Sequence, residues 1–197
     1  MSGTSLQRAI EAIQSRKLVI VGDTAREMEY DFVGSALLAT PETINFMLTH
    51  GRGAFIAVFM PEWWADTLAM EKIPFSKALN GTNFRVSVDL MGQMSGSSAY
   101  ERAATVNALG DKHSSPAIFS SPGHVVPIAA HPNLLKGRRG HTEAGVRLIE
   151  LSGISPAVAV DIEILHPKGH MAGREHVEEL SKRYDIPILD IEDIRCA

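Results

Sequence analysis

The sequence predicts an α/β fold, an α+β layered sandwich in which one mixed sheet is flanked by helices. Apolar, strand-like runs alternate with amphipathic helical segments along the whole chain. The 197 residues are 45% hydrophobic, which is enough for one substantial core. No Ser/Gly/Pro-rich segment divides the chain and no internal repeat is found. We therefore expect residues 1–197 to form a single domain.

Helices are predicted where apolar residues recur with the 3.6-residue period or where capping residues begin a segment. Thr4 and Gln7 have the spacing of a capping box, and Ser98 begins a second one. Thr40 precedes a proline at the first helical position, which also favours a helix start. In chain order the predicted helices cover residues 4–13, 40–51, 61–70, 98–110, 142–151 and 177–184.

Strands are predicted from short β-branched or continuous apolar runs. They cover residues 18–21, 32–39, 54–60, 84–88, 125–130, 157–165 and 186–191. We expect the charged residues 22–31 to form a loop between the first two strands. We also expect Ser121-Pro-Gly-His124 to form a tight turn before the strand at residue 125.

Composition excludes several classes of protein. The formal net charge is −4, so neither nucleic acid nor an anionic membrane is expected as a partner. No apolar run reaches the length of a membrane span, and the N-terminus lacks the pattern of a signal peptide. The single cysteine, Cys196, cannot form an internal disulfide. A cytoplasmic location is therefore expected.

The charged segment between the first two strands holds four carboxylates and one arginine within nine residues. They are Asp23, Arg26, Glu27, Glu29 and Asp31. A solvated charged turn is one interpretation of this composition. The other is a site for a hard metal and a polyol, because carboxylate oxygens suit Mg²⁺.

A basic segment leads into the predicted helix that begins at Thr142. Arg138 and Arg139 are followed by a flexible Gly140 and then by His141. Guanidinium groups beside a helix N-terminus are suited to a phosphate monoester. An ordinary basic turn before a Thr-capped helix fits equally well, with His141 either on the surface or a metal ligand.

Candidate groups for proton transfer lie at two other places. His124 follows the Pro-Gly turn and has an ordinary pKa close to working pH. In the strand over residues 157–165, period-2 alternation places Asp161 and Glu163 on one face. That face is either solvated or covered. If it is covered, Glu163 is a candidate for a raised pKa.

Taken together and in order, these segments resemble the 3,4-dihydroxy-2-butanone 4-phosphate synthases of riboflavin biosynthesis. The resemblance runs over about residues 19–190, and the stretch from Arg138 to Ala144 is its most specific part. The matching segments are Arg26-Glu27-x-Glu29-x-Asp31, Ser87-Val-Asp89, 95–105, 122–127, 138–144, and Glu163 with Gly169-His-Met-Ala172.

The resemblance implies a lyase that converts D-ribulose 5-phosphate to L-3,4-dihydroxy-2-butanone 4-phosphate and formate. It further implies a homodimer with each site completed across the interface. Mg²⁺ or Mn²⁺ is the implied cofactor, with Glu27 and His141 as metal ligands, and His124 and Glu163 are the implied catalytic acid–base groups. The implied substrate-binding residues are Arg26, Glu27, Asp31, Arg138, Arg139, Gly140, His141, Thr142 and Glu163.

Three questions stay open at this point. A metal-dependent sugar-phosphate isomerase or aldolase would use the same phosphate and metal groups, and formate release distinguishes it from the lyase. A non-catalytic regulatory homologue is the other alternative, because Met28 and Tyr30 depart from the family's acidic segment. The register before Glu163 also leaves open whether Asp161 is the functional acid.

Overall fold

The computed structural model describes residues 2–26, 28–74, 76–78 and 81–197, with side chains from residue 5 onward. Its strands are β1 (Val19–Asp23), β2 (Glu29–Ser35), β3 (Ile56–Pro61), β4 (Asn83–Phe84), β5 (Val88–Leu90), β6 (Phe119–Ala130), β7 (Ala159–Glu163) and β8 (Ile188–Asp190). Its α-helices are α1 (Ser2–Gln14), α2 (Pro41–His50), α3 (Glu62–Thr67), α4 (Ala99–Gly110), α5 (His141–Leu151), α6 (Arg174–Tyr184) and α7 (Ile191–Arg195).

The eight strands form one mixed sheet in the order β4-β6-β3-β7-β2-β1-β8, with β5 also paired to β6. The pairs β1/β8 and β3/β6 are parallel, and the other pairs are antiparallel. This arrangement confirms the predicted fold class of a mixed sheet flanked by helices. Among the described residues, no helix is both long and apolar enough to cross a membrane.

Each face of the sheet has its own apolar core, because side chains alternate between the two faces along every strand. Ile20 and Phe32 belong to the core that packs against α2, α3, α4 and α6. Val21 and Val33 belong to the core that packs against α1, α5 and α7. The polar residues that share a face with Val33 are therefore directed toward α5.

Several element boundaries differ from the prediction. The charged segment is largely a hairpin and not a loop, because β1 extends to Asp23 and β2 begins at Glu29. The strand expected over 32–39 ends at Ser35, and the strand expected over 84–88 is divided between β4 and β5. The ends of these strands depend on backbone pairing with strands that are distant in sequence. Local composition contains no information about that pairing.

The ends of two helices also differ from the prediction. The first helix begins at Ser2, so Thr4 lies inside it and is not the N-cap. The helix predicted from Thr142 begins at His141, with Gly140 as the N-cap and no side-chain capping bond. The short helix α7 was not predicted, although Asp190 and Asp193 form a capping box at its start. By contrast, the capping box of Ser98 and Glu101 at α4 is confirmed.

Candidate functional site

Acidic side chains from two neighbouring strands meet on the α5 side of the sheet. Asp31 of β2 pairs directly with Glu163 of β7, and Val33 pairs with Asp161. Cross-strand partners share a face, and Val33 packs in the core that contains α5. The side chains of Asp31, Asp161 and Glu163 therefore lie on the face of the sheet that packs against α5.

The first residue of α5 faces this acidic cluster. His141 is buried, and its Nδ1 lies 3.6 Å from Oδ2 of Asp31. The interpretation of His141 as a surface residue is therefore wrong. Because the first backbone N–H groups of an α-helix have no acceptor within the helix, the same end of α5 also offers donors and a partial positive charge.

A cavity of about 300 Å³ connects the acidic cluster with the start of α5. Its volume lies at the small end of the range for small-molecule sites. Its polar wall holds Glu29, Asp31, Thr82, Arg138, His141, Thr142, Asp161 and Glu163. Its apolar wall holds Phe55, Ala57, Phe59, Phe84 and Ile128. This combination of carboxylates, one guanidinium and a helix N-terminus can bind the phosphate and hydroxyl groups of one small ligand.

The two carboxyl groups of β7 lie in different environments. Asp161 is only 3% exposed, and burial raises its pKa well above the ordinary value, with further contributions from the charges of Asp31 and Glu163. Glu163 is exposed at the end of the strand. The expectation that burial acts on Glu163 is therefore wrong, because the buried group is Asp161.

The two arginines before α5 point to different places. Arg138 lines the cavity, where it donates hydrogen bonds to Oε2 of Glu143 at 2.7 Å and to Oγ1 of Thr82 at 2.9 Å. Arg139 lies outside the cavity lining, with Nη2 2.7 Å from Oε1 of Glu192 in α7. Only Arg138 is therefore placed to meet a ligand in this cavity.

At Gly140 the Arg138 side chain approaches the backbone closely. A Cβ atom at this position would lie 2.6 Å from Nη1 of Arg138 and 3.2 Å from Oε2 of Glu143. Glu143 is buried and also accepts a hydrogen bond from the backbone N–H of His131. The glycine thus lets a held guanidinium pack against the N-terminus of α5.

The turn of the charged hairpin is held by Asp23 of the hairpin and by Asp190 at the end of β8. Asp23 is buried and accepts hydrogen bonds from the backbone N–H and from Nε of Arg26, at 3.0 and 3.3 Å. Thr24 donates a hydrogen bond of 2.6 Å from its hydroxyl to Asp190. Glu27, one of the two predicted metal ligands, lies outside the described residues. Its role remains a prediction.

His124 lies within the long strand β6, so the predicted tight turn at residues 121–124 is wrong. Its Nδ1 is 2.8 Å from Oδ2 of Asp89, and its backbone N–H donates to Oδ1 of the same carboxylate at 2.9 Å. Its side chain is 44% exposed. A carboxylate at Nδ1 orients the ring and selects its tautomer, which suits proton transfer at the other nitrogen.

His124 does not line the cavity around His141. It directly precedes Val125, which pairs with Ile56, while the neighbouring Phe55 does line that cavity. The sequence did not identify Asp89 as a functional residue, since only the pairing of β5 with β6 places it beside His124.

Among the described residues, no group of three histidine, cysteine or carboxylate side chains is arranged to hold a metal ion. Mg²⁺ is often bound through only one or two protein carboxylates, with water and substrate completing its coordination. The carboxyl side chains of Glu29, Asp31 and Glu163 line the cavity and offer oxygen donors. The donor chemistry of the cavity therefore fits a hard divalent cation.

The model of the 3,4-dihydroxy-2-butanone 4-phosphate synthase family matches residues 7–196. Riboflavin biosynthesis protein RibBA of Bacillus cereus is 40% identical over 191 residues, which cover 96% of this chain and 48% of that protein. The same protein of Bacillus cytotoxicus is 40% identical, with the same coverage. The chain thus spans about half the length of the curated relatives it matches.

Solved structures agree with the family match. RibBX, a two-domain 3,4-dihydroxy-2-butanone 4-phosphate synthase from A. baumannii, has a TM-score of 0.91 and 32% identity, covering 96% of this chain and 56% of that one. A 3,4-dihydroxy-2-butanone 4-phosphate synthase in complex with two magnesium ions has a TM-score of 0.89 and 30% identity, covering 95% and 93%. The chain belongs to the 3,4-dihydroxy-2-butanone 4-phosphate synthase family.

Proposed function

We propose that this chain converts D-ribulose 5-phosphate to L-3,4-dihydroxy-2-butanone 4-phosphate and formate, a step of riboflavin biosynthesis. The family match supports this proposal. The observation that carries it is the single cavity in which Arg138, the N-terminus of α5 and the carboxylates of β2 and β7 meet. These groups suit the two ends of a phosphorylated polyol. The guanidinium and the helix N–H groups can bind the phosphate, and the carboxylates can accept hydrogen bonds from the hydroxyl groups.

The substrate phosphate is assigned to the start of α5. Arg138 supplies a guanidinium that is already oriented by Glu143 and Thr82, so little side-chain entropy is lost on binding. The backbone of Gly140 to Thr142 and the hydroxyl of Thr142 supply further donors. Arg139 is engaged by Glu192 and is assigned to the packing of α7.

The proposed cofactor is Mg²⁺ or Mn²⁺, with Glu27 and His141 as protein ligands. The position of His141 supports this assignment, because a carboxylate beside Nδ1 is the usual partner of a histidine that binds metal through Nε2. A bound divalent cation would polarise the ketone and stabilise negative charge on the sugar oxygens. The magnesium complex of a structural relative agrees with a divalent metal and does not distinguish Mg²⁺ from Mn²⁺.

Proton transfer is assigned to His124 and Glu163. Both side chains have exposed atoms, and His124 is oriented by Asp89. The reaction moves protons at several carbons, so more than one acid–base group is required. Asp161 is nearly inaccessible to solvent and is assigned no contact with the substrate.

We also propose that the chain forms a homodimer with sites at the subunit interface and acts in the cytoplasm. His124 is half-exposed and lies outside the cavity lining. Met94 is fully exposed and Met91 is 59% exposed in the connection between β5 and α4, and Tyr100 in the first turn of α4 is 71% exposed. Large exposed apolar side chains of this kind favour an interface. Light scattering on the purified chain tests the dimer, and cell fractionation tests the location.

The proposed reaction is tested by incubating the chain with D-ribulose 5-phosphate and Mg²⁺ and measuring formate. One formate per substrate consumed is the expected result. Consumption of substrate without formate would indicate an isomerase or aldolase. No consumption by a folded, Mg²⁺-loaded chain would favour a regulatory homologue. Excess EDTA should abolish turnover, and full activity in EDTA would contradict the metal assignment.

A further inference from the structure

We infer that Asp190 is a positioning residue that holds the turn of the charged hairpin, residues 23–28, against the start of α7. The inference rests on the proposed function in one respect, the assignment of Glu27 in this turn to metal binding. Asp190 lies outside the described lining of the cavity and acts through Thr24.

Asp190 stands where three elements meet. It is the last residue of β8 and the N-cap of α7, and it pairs with Gly22 of β1 in parallel register. Because β1 ends at Asp23, directly after Gly22, Asp190 lies beside the point where the chain leaves the sheet and enters the turn.

The two oxygens of the Asp190 carboxylate serve different elements. Oδ2 accepts hydrogen bonds from the hydroxyl and from the backbone N–H of Thr24, at 2.6 and 3.3 Å. Oδ1 accepts from the backbone N–H of Glu192 at 3.0 Å. Hydrogen bonds to an ionised acceptor are shorter and stronger than those between neutral groups. One side chain thus connects the turn with the first residues of α7.

The helix that carries this contact is itself firmly packed. Ile191 and Ile194 of α7 are buried in the core that contains α5. Glu192 also forms an ion pair with Arg139, with 2.7 Å between Oε1 and Nη2. A side chain on a well-packed element is a more precise support than one on a loop. The start of α7 can therefore fix the position of the turn.

The turn has a backbone conformation that needs such support. The last pair of the hairpin is Asp23 with Glu29, so residues 24–28 lie beyond the paired strands. Met28 has a φ of 56°, in the left-handed region that few residues other than glycine adopt. Its N–H donates to the backbone oxygen of Asp23 at 2.8 Å. Unfavourable conformations of this kind persist where surrounding contacts determine them, and the contact of Thr24 with Asp190 is one of these.

The order of the turn affects metal binding through Glu27, which stands between Arg26 and Met28 in the sequence. The apparent affinity for a ligand falls in proportion to the fraction of molecules that are competent to bind it. Loss of one hydrogen bond of ordinary strength changes such an equilibrium by about 2- to 10-fold. We therefore expect the affinity for a divalent cation to fall by this factor when the contact of Thr24 with Asp190 is removed.

The test removes the contact from either side. Thr24→Val replaces the hydroxyl by a methyl group, and Thr24→Ser keeps the hydroxyl. Asp190→Asn leaves a single side-chain oxygen, which cannot serve both Thr24 and the cap of α7. Thr67→Val is the matched control, because this exposed hydroxyl donates at 2.8 Å to the backbone oxygen of Trp63 within α3, on the other face of the sheet.

The first measurement is amide hydrogen exchange of Arg26 and Met28 in metal-free protein, followed by NMR. Both N–H groups donate to Asp23, so a change in their exchange reports the order of the turn as a whole. We expect exchange to be about 2- to 10-fold faster in Thr24→Val and Asp190→Asn, and as in the wild type in Thr24→Ser and Thr67→Val. Unchanged exchange in Thr24→Val would overturn the inference. Because neither metal nor turnover is needed, this measurement is independent of the proposed reaction.

The second measurement is Mn²⁺ affinity by electron paramagnetic resonance. We expect Thr24→Val and Asp190→Asn each to weaken Mn²⁺ binding by about 2- to 10-fold, and Thr24→Ser to restore it. Thr24→Val combined with Asp190→Asn should bind no more weakly than the weaker single variant, because both changes remove the same contact.

Unchanged or tighter Mn²⁺ binding by Thr24→Val would overturn the positioning role, and so would a full additive loss in the double variant. A wild type that binds no Mn²⁺ would contradict the metal assignment of the proposed function. In that case the exchange of Arg26 and Met28 still decides whether Asp190 holds the turn.

Discussion

The buried proton on Asp161 links the stability of the fold to pH, and replacing Asp161 by asparagine should remove this link. Folding raises the pKa of Asp161, mainly through burial and then through the charges of Asp31 and Glu163. The stability that such a group contributes is fully present below its unfolded-state pKa of about 3.9 and is lost as the pH rises through its folded-state pKa. Asparagine does not titrate. Between the unfolded-state and the folded-state pKa of Asp161, the free energy of unfolding of the variant therefore rises relative to that of the wild type.

The size of the effect follows from one proton. Inside the window, the free energy of unfolding of Asp161→Asn should rise relative to the wild type by about 1.4 kcal/mol per pH unit. For a chain of this length that slope corresponds to roughly 3–5 °C in Tm per pH unit. Below pH of about 4 and above the folded-state pKa, the difference between the two proteins should be constant.

Urea unfolding in EDTA from about pH 2 to about pH 8 measures this difference and covers the windows of both Asp161 and Glu101. Parallel stability profiles of wild type and Asp161→Asn over the whole range would refute the assignment of the buried proton. Glu101→Gln provides a control of opposite sign, because hydrogen bonds from the Ser98 hydroxyl and the Ser95 N–H lower the pKa of Glu101 to about 2. The ionised Glu101 carboxylate stabilises the fold at neutral pH, so Glu101→Gln should be less stable than the wild type at that pH. The difference in the free energy of unfolding should become smaller as the pH falls below about 4.

Three further predictions concern the proposed reaction. Arg138→Ala should lower kcat/KM by about 10- to 150-fold, which corresponds to the loss of a charge-assisted hydrogen bond of about 1.5–3 kcal/mol, whereas Arg139→Ala should leave KM unchanged. Equal effects of the two substitutions in steady-state assays would contradict the assignment of the phosphate to Arg138. His124→Ala should lower kcat by about 100-fold or more with little change in KM, and full formate production by this variant would exclude it as an acid–base group. Asp89→Asn should lower kcat in the same direction, because it removes the negative charge that orients His124, and an unchanged kcat would show that this contact is only structural.

The local patterns of the sequence determined the elements and the classes of group that the site contains. The caps at Thr40 and Ser98 are local signals, since a hydroxyl three residues before a backbone N–H needs no distant partner. The alternation along residues 159–163 placed Asp161 and Glu163 on one face for the same reason. The basic segment before α5 likewise identified the residues that precede a helix N-terminus.

Only the tertiary structure decided the different positions of the two arginines before α5 and of the two carboxyl groups of β7. Arg138 and Arg139 are neighbours in sequence, but Thr82 and Glu143 direct one into the cavity while α7 engages the other. Asp161 and Glu163 share a face, but only Asp161 lies between two strands and is buried. Burial and side-chain direction depend on partners tens of residues away, and a local period carries no information about those partners.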